Sequence, residues 1–213
     1  MADTQKIRRI DWYRIPLSPE ELKAFNQRSD VKGLVMSLGF LGILVCTGGL
    51  SVYAVYHWHW LLAIACIYLH GTCFAFQINA VHELGHGTVF KTKWLNSLFF
   101  RVFGFLGWIN FDHFDSSHTL HHRYTLHPPD DLEVTLPVTY TLKDFLKMAF
   151  IQPMWLYHTI EGQLRLARGK FEGKWGLHIL PTEKVAQRQK VINWSRTVLI
   201  GHGLIALVSI AMG

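Results

Sequence analysis

Two tight groups of histidine carry the chemistry of this sequence: His82 and His86 in HELGH, and His118, His121 and His122 in HTLHH. At 3.6 residues per turn, positions i and i+4, or i, i+3 and i+4, project from one helical face, so each group aims its imidazoles at a common point. Neutral imidazole is a good ligand for iron, zinc or copper, and clustered His without Cys points away from iron–sulfur clusters and structural zinc. HELGH also fits HExxH, in which two His bind zinc and Glu83 serves as the general base of a metalloprotease. That site needs one further protein ligand, whereas three more His arrive here together. The surplus fits a two-metal centre better.

The elements that must position these groups are set by hydropathy. Of 213 residues, 50% are hydrophobic and only 17% charged, well short of the roughly 25% charged usual for soluble domains. Mean hydropathy is +0.17. From Gly33 to Val81 there is no Asp, Glu, Lys or Arg. At about 20 residues per crossing, the run predicts two membrane helices, over Gly33–Tyr56 and Trp58–Ile78, joined by an aromatic belt that contains His57 and His59 as interfacial polar residues. A third is expected over Val191–Met212, with Arg196 near its start able to snorkel. Cys46, Cys66 and Cys73 lie within the uncharged run and read as small packing residues.

Seven basic residues precede Gly33 and thirteen lie between His82 and Lys190, against none in the Tyr56–Trp58 turn. The positive-inside rule therefore puts the amino-terminal segment (residues 1–32) and the His-bearing middle region on the cytoplasmic side, of a bacterial cytoplasmic membrane or of the endoplasmic reticulum. No cleavable signal peptide is visible. Trp94–Phe111 reads as an amphipathic or re-entrant helix, since crossing there would leave the two His groups on opposite faces. Asp144–Tyr157, broken by Pro153, reads as a second interfacial helix. The expected fold is all-α, with multi-pass helices and a cytoplasmic cap of short helices around the histidines. The net charge of +6 belongs to that topology rather than to a nucleic-acid module, and disorder and secretion as a soluble protein are disfavoured.

HELGHGTVFKTKWLN, followed by HTLHHRYTLHPPDD, resembles the first two histidine boxes of the membrane fatty acid desaturase family over residues 33–213. The resemblance implies a non-haem di-iron centre with His82, His86, His118, His121 and His122 as ligands, and Glu83 beside it or facing solvent. It implies dioxygen as co-substrate and a fatty acyl lipid, acyl-CoA or acyl carrier as substrate. An electron donor such as a b-type cytochrome or ferredoxin is also implied, and the product is a C=C bond. Hydroxylases and ketolases with the same boxes are the near alternative, and the zinc protease the distant one. The family's third box has no counterpart here, since His127, His158, His178 and His202 are scattered. The expectation is therefore the front portion of a longer protein, inactive alone.

Around the boxes, Asp112, Asp115, Asp130 and Asp131 are possible acceptors for ligand imidazoles, with solvated loop polarity the plainer reading for each and for His113 and His127. His70 and His202, inside membrane helices, read as neutral packed imidazoles. Asn79 is placed to cap or orient the first box. Arg165–Lys174 (RLARGKFEGK) reads as a face at anionic headgroups, or a dock for an acidic electron carrier or acyl carrier headgroup.

Overall fold

A computed structural model of the chain describes residues 11–13, 15–134, 139, 141–149 and 153–212. The first ten residues of the expected cytoplasmic segment thus lie outside the described residues. Helices and connecting turns make up the described residues, with no strand among them. A short α1 (Pro19–Phe25) opens with a capping box between Ser18 and Glu21. It leads to α2 (Asp30–His57), which turns at Trp58 into α3 (Trp60–Ala75). His59 caps α3 by accepting from the Leu61 amide, and the His57 ring packs on Tyr53.

Both helices leave Val35, Ile43, Val45, Val52, Ile64 and Ile67 exposed along their length. Exposed apolar surface of this extent has no place in water and matches the length of a bilayer core. Three helices are long and apolar enough to cross: the one ending at His57, the stretch Trp60–Gly85, and α10 (Val185–Met212). Three helices able to span, as expected, are therefore present among the described residues, whose fold is all-α.

Inside the α2–α3 hairpin the contact surface is small and polar. Thr47 Oγ1 lies 2.9 Å from His70 Nδ1, and Ser51 Oγ donates to the Cys66 carbonyl at 2.9 Å. The His70 ring lies over Gly48, where a Cβ would come within 3.2 Å of it. His70 is thus a packing imidazole, as expected. Thr47→Val keeps the shape and removes the hydroxyl. It should cost about 0.6 kcal/mol, the mean for a hydrogen bond between membrane helices, read as a small loss of thermal stability in detergent.

Phe76 both ends α3 and starts α4 (Gln77–Gly85), so the second apolar helix runs through a break directly into the first histidine group. A loop then leads to α5 (Lys93–Leu106). Its fourteen residues span about 21 Å, short of the roughly 30 Å hydrocarbon core. It lies against α4 instead, closing a core of Val81, Leu84, Phe90, Phe99 and Phe103. Arg101, the charge in this apolar segment, stacks 5.3 Å from the Phe111 ring centroid. Residues 107–110, with Trp108 at φ 57°, turn the chain into α6 (Phe111–Tyr124).

α7 (Leu142–Ala149) and α8 (Pro153–Ala167) cover the segment expected as a second interfacial helix, with residues 150–152 outside the described residues. After a turn at Gly169 (φ 74°) comes α9 (Gly173–Ile179), and α10 returns across α8 and α6. Arg196 stays exposed and donates Nε to the Ala167 carbonyl, tying α10 to the end of α8. His202 donates Nδ1 to the Val198 carbonyl while its ring stacks on Phe105 and Trp108, which makes it a packing residue too.

Candidate metal centre

α4 carries His82 in its last turn and leaves His86 as its C-cap, so both imidazoles stand at the end of one helix. That end is held from outside. Asn96 of α5 donates Nδ2 to the Leu84 carbonyl at 2.7 Å in a buried contact, satisfying one of the acceptors a helix terminus orphans. Thr92, just before α5, donates its amide and hydroxyl to the two oxygens of Asp30 at 2.8 and 2.7 Å, fastening α5 to the start of α2.

α6 is fixed at its own start. Asn110 caps it by accepting from the His113 amide, while its Nδ2 donates to the Val191 carbonyl and Ser195 Oγ of α10, both at 2.8 Å. Trp194 adds a bond from Nε1 to the Ile109 carbonyl. The second histidine group, three turns from a double anchor, is thereby set against the first.

The two groups meet. One ligand atom from each of His82, His86, His118 and His122 lies within 4.8 Å of the others. His118 Nε2 and His122 Nε2 are 2.9 Å apart, and the His82 ring centroid is 4.6 Å from those of both His86 and His118. No pair of boxes on opposite membrane faces could make this contact, so the segment between them does not separate them.

His121 is the exception among the five. Its ring centroid lies 5.7 Å from that of His118 and 5.8 Å from that of His122, and it stands outside the four-imidazole cluster. The reason is a carboxylate: Asp131 Oδ2 holds His121 Nδ1 at 2.8 Å. At i+3 on α6, His121 is also about 60° from His118 around the helix axis. It faces a cavity of about 1070 Å³ that His82, His113 and His118 line as well.

In three of the five histidines a carboxylate holds the same ring nitrogen. His82 Nδ1 lies 3.0 Å from Glu83, His118 Nδ1 2.7 Å from Glu133, and His121 Nδ1 2.8 Å from Asp131. Each Nδ1 is thus engaged, leaving Nε2 as the candidate ligand atom of all three rings, that of His118 lying 2.9 Å from His122 Nε2; such outer carboxylates orient metal-bound imidazoles. Glu133 is itself held by Ser117 Oγ, which accepts from Trp175 Nε1 of α9 at 3.0 Å.

Of the four aspartates considered from sequence, Asp131 alone does this work. It is fully buried, receiving the amides of Leu126 at 2.6 Å and Glu133 at 2.9 Å. Burial pushes its carboxyl upward, but these two amides and the His121 ring outweigh that and hold it below the ordinary carboxylate value. Asp112 is raised, chiefly by burial. Asp115 is exposed, and Asp130 engages His127 only through its amide. Glu133 and Trp175 are site residues the sequence reading passed over. Glu133 stands two residues beyond Asp131, in PPDDLE, and that proximity was the available signal.

Asn79 does not cap α4, whose N-cap is Phe76 without a side-chain bond; it opens onto the large cavity instead. His127 turns inward, Nδ1 between the Tyr124 and Thr125 carbonyls, with Trp12 against its ring. His158 lines the large cavity from α8, and His178 stacks on Trp175.

Residues 58–213 match the fatty acid desaturase family. The chain belongs to that family. No curated protein and no solved structure is matched. Membership in the desaturases brings an oxidoreductase that acts on lipid or acyl substrates with an electron donor, in a family generally dependent on two irons. With three helices able to span, this desaturase-family chain is an integral membrane protein.

The donor set fits a metal such as iron: four imidazoles converge, with no thiol near them. Burial, then the neighbouring histidines, lower the basicity of His86 and His122, and burial lowers that of His113 against the opposing charge of Glu133. In the unfolded chain these rings protonate near the ordinary value of 6.5. As pH falls below that, the unfolded state takes up protons that the folded site refuses, so stability declines. The melting temperature of the metal-free protein should be lower at about pH 5.5 than at about pH 7.5. The difference should shrink in a His86→Gln/His122→Gln variant.

Proposed function

We propose that His82, His86, His118, His121 and His122 are ligands of a di-iron centre for fatty acyl desaturation, and that these five imidazoles by themselves do not complete it. The observation that carries the reading is the convergence of His82, His86, His118 and His122 on one point, with Nδ1 of His82 and His118 bonded to Glu83 and Glu133. When bound, the centre supplies the activation of dioxygen: two hydrogens leave adjacent methylenes, two electrons and two protons come from the donor and solvent, and two waters form with the C=C bond.

The chain's own residues account for the rest. His82, His118 and His121 line the large cavity, and Trp108, Ile109, Phe114, Trp155 and Leu166 give it apolar walls that exclude water from a bound methylene chain. A narrower apolar pocket of about 250 Å³, lined by Met36, Phe40, Val89 and Phe103, adjoins it through Asn79 and Glu83. The methyl end of an acyl chain would find there a dry extension of the cavity. The carboxylates fix the imidazoles, so that no reorientation is needed when substrate arrives.

A zinc protease is not favoured. It needs the Glu83 carboxylate free to act on water, whereas Glu83 is engaged by His82 Nδ1, and it leaves His118 and His122 without a role. The test is an acyl-chain profile by gas chromatography and mass spectrometry of cells expressing the protein with iron and air. New unsaturated species, absent with empty vector and with His122→Ala, would show that the five histidines suffice for the reaction. A new hydroxylated species would move the assignment to the related hydroxylases. An unchanged profile from a folded, iron-loaded protein would match the inactivity expected of these five ligands alone, and a folded protein that takes up no iron would contradict the reading.

A further inference from the structure

The tryptophans of the chain differ in where the indole N–H points. Trp12 and Trp194 donate to main-chain carbonyls, those of Arg123 and Ile109. Trp175, in α9, donates to a side chain, with Nε1 3.0 Å from Ser117 Oγ. The Ser117 hydroxyl in turn donates to Glu133 Oε2, and the other oxygen of that carboxylate holds His118 Nδ1 at 2.7 Å. Hydrogen bonds in series thus join an indole to the buried imidazole of the histidine cluster. No other tryptophan has a side-chain acceptor for its indole among the described residues.

Trp175 also lines the large cavity, as Ser117, His118 and Glu133 do. Trp108 and Trp155 line the same cavity without a bond from the indole N–H. An indole that loses an electron becomes a cation, and its N–H becomes a stronger donor. At Trp175 that donor leads through one hydroxyl to a carboxylate, so the positive charge is met by a negative one along a polarised chain. The cavity walls around Trp108 and Trp155 offer their indoles nothing of the kind. Trp175 is therefore the cavity tryptophan from which an electron is most easily taken, and it is the one connected to a candidate metal ligand.

We propose that Trp175 is a redox-active residue, an outlet that gives one electron to the centre when an oxidising equivalent there finds no acyl C–H bond within reach. This rests on the reading of the histidines as ligands of a di-iron centre. One electron leaves the indole ring, no bond breaks and no proton moves: the radical cation keeps its N–H on Ser117 Oγ, with the Glu133 charge behind it. The oxidant is the dioxygen of the reaction, and the donor that supplies the reaction's electrons returns one to the indole. Without this outlet the oxidising equivalent falls on the nearest oxidisable side chains, the imidazoles of the cluster.

The test supplies hydrogen peroxide, in place of dioxygen and donor, to the iron-loaded, detergent-solubilised protein without acyl substrate. Freeze-quench electron paramagnetic resonance reads the radical, and peptide mass spectrometry locates the oxidised side chains. A tryptophan radical is expected. Trp175 should take up oxygen at least about tenfold more than Trp108 or Trp155, the factor that one hydrogen bond to a charged acceptor is worth. Ser117→Ala cuts the chain and leaves the indole in place, so the preference should vanish; Ser117→Thr keeps the hydroxyl and should retain it. Trp175→Phe should lose the radical, accumulate oxidised His118 and release iron faster with each addition of peroxide.

Packing alone would give Trp175 no such preference. Oxidation spread evenly over Trp108, Trp155 and Trp175, a preference that survives Ser117→Ala, or imidazoles no more oxidised in Trp175→Phe than in the wild type would each overturn the outlet. In the metal-free protein, photo-oxidation by a ruthenium tris-bipyridine complex with persulfate should again mark Trp175 less in Ser117→Ala than in the wild type. Equal marking there would overturn it whether or not iron is bound. The di-iron reading fails separately, if the folded chain takes up no iron.

Discussion

His118→Ala should empty the metal site. His118 is the buried member of the cluster, with ring centroids of His82, His86 and His122 at 4.6, 5.1 and 4.4 Å. Its loss removes one of four converging donors and leaves Glu133, 2.7 Å from the missing ring, without its imidazole. Even outer partners of a metal site cost about 10–100-fold in affinity when removed. A ligand at the centre should cost more, so iron retained through purification should fall by more than about tenfold and desaturation should cease.

Glu83→Gln is the informative companion. The glutamine carbonyl still accepts from His82 Nδ1, so iron should stay near the wild-type level. A zinc protease would keep its metal in both variants, since Glu83 is its general base and not a ligand and His118 has no role in it. Metal content of His118→Ala by mass spectrometry therefore separates the two readings without any activity assay.

Asp131→Ala should destabilise the protein and loosen His121 together. Asp131 is fully buried and accepts from three donors, the Leu126 and Glu133 amides and the His121 ring. It holds Leu126 in a left-handed conformation, φ 61°, which a branched side chain adopts only under constraint. Truncation strands these donors and opens a small void. The expected cost is on the order of 3 kcal/mol, or a melting temperature lower by roughly 6–12 °C for a chain of this size. Asp130→Ala, next door, removes a carboxylate with no such bonds and should change the melting temperature little. A similar loss in both variants would mean that the loop matters as a whole and that Asp131 has no special place in it.

The histidine spacing was legible because it is helical: i and i+4 on α4, and i, i+3 and i+4 on α6, are statements about one element at a time. The uncharged run from Gly33 to Val81 was legible for the same reason, since membrane thickness sets helix length. What spacing did not show was that His121 turns away from the other four. That depends on Asp131, ten residues on, in a loop whose path no periodicity describes.

Glu133 and Trp175 were hidden likewise. One reaches His118 from that same loop, and the other supports it through Ser117 from α9, 58 positions distant. Asn96 and Asn110 look like ordinary polar residues near apolar runs until their buried partners, the Leu84 carbonyl and Ser195, are in place.

The most direct test of the account is the metal inventory of the intact protein, expressed in isotopically enriched iron, purified in mild detergent without added chelator, and analysed by mass spectrometry and Mössbauer spectroscopy. The account predicts two irons per chain in nitrogen-rich sites that are lost together in His118→Ala. Zinc as the tightly held metal, or a folded chain that takes up no iron when supplied with it, would contradict it.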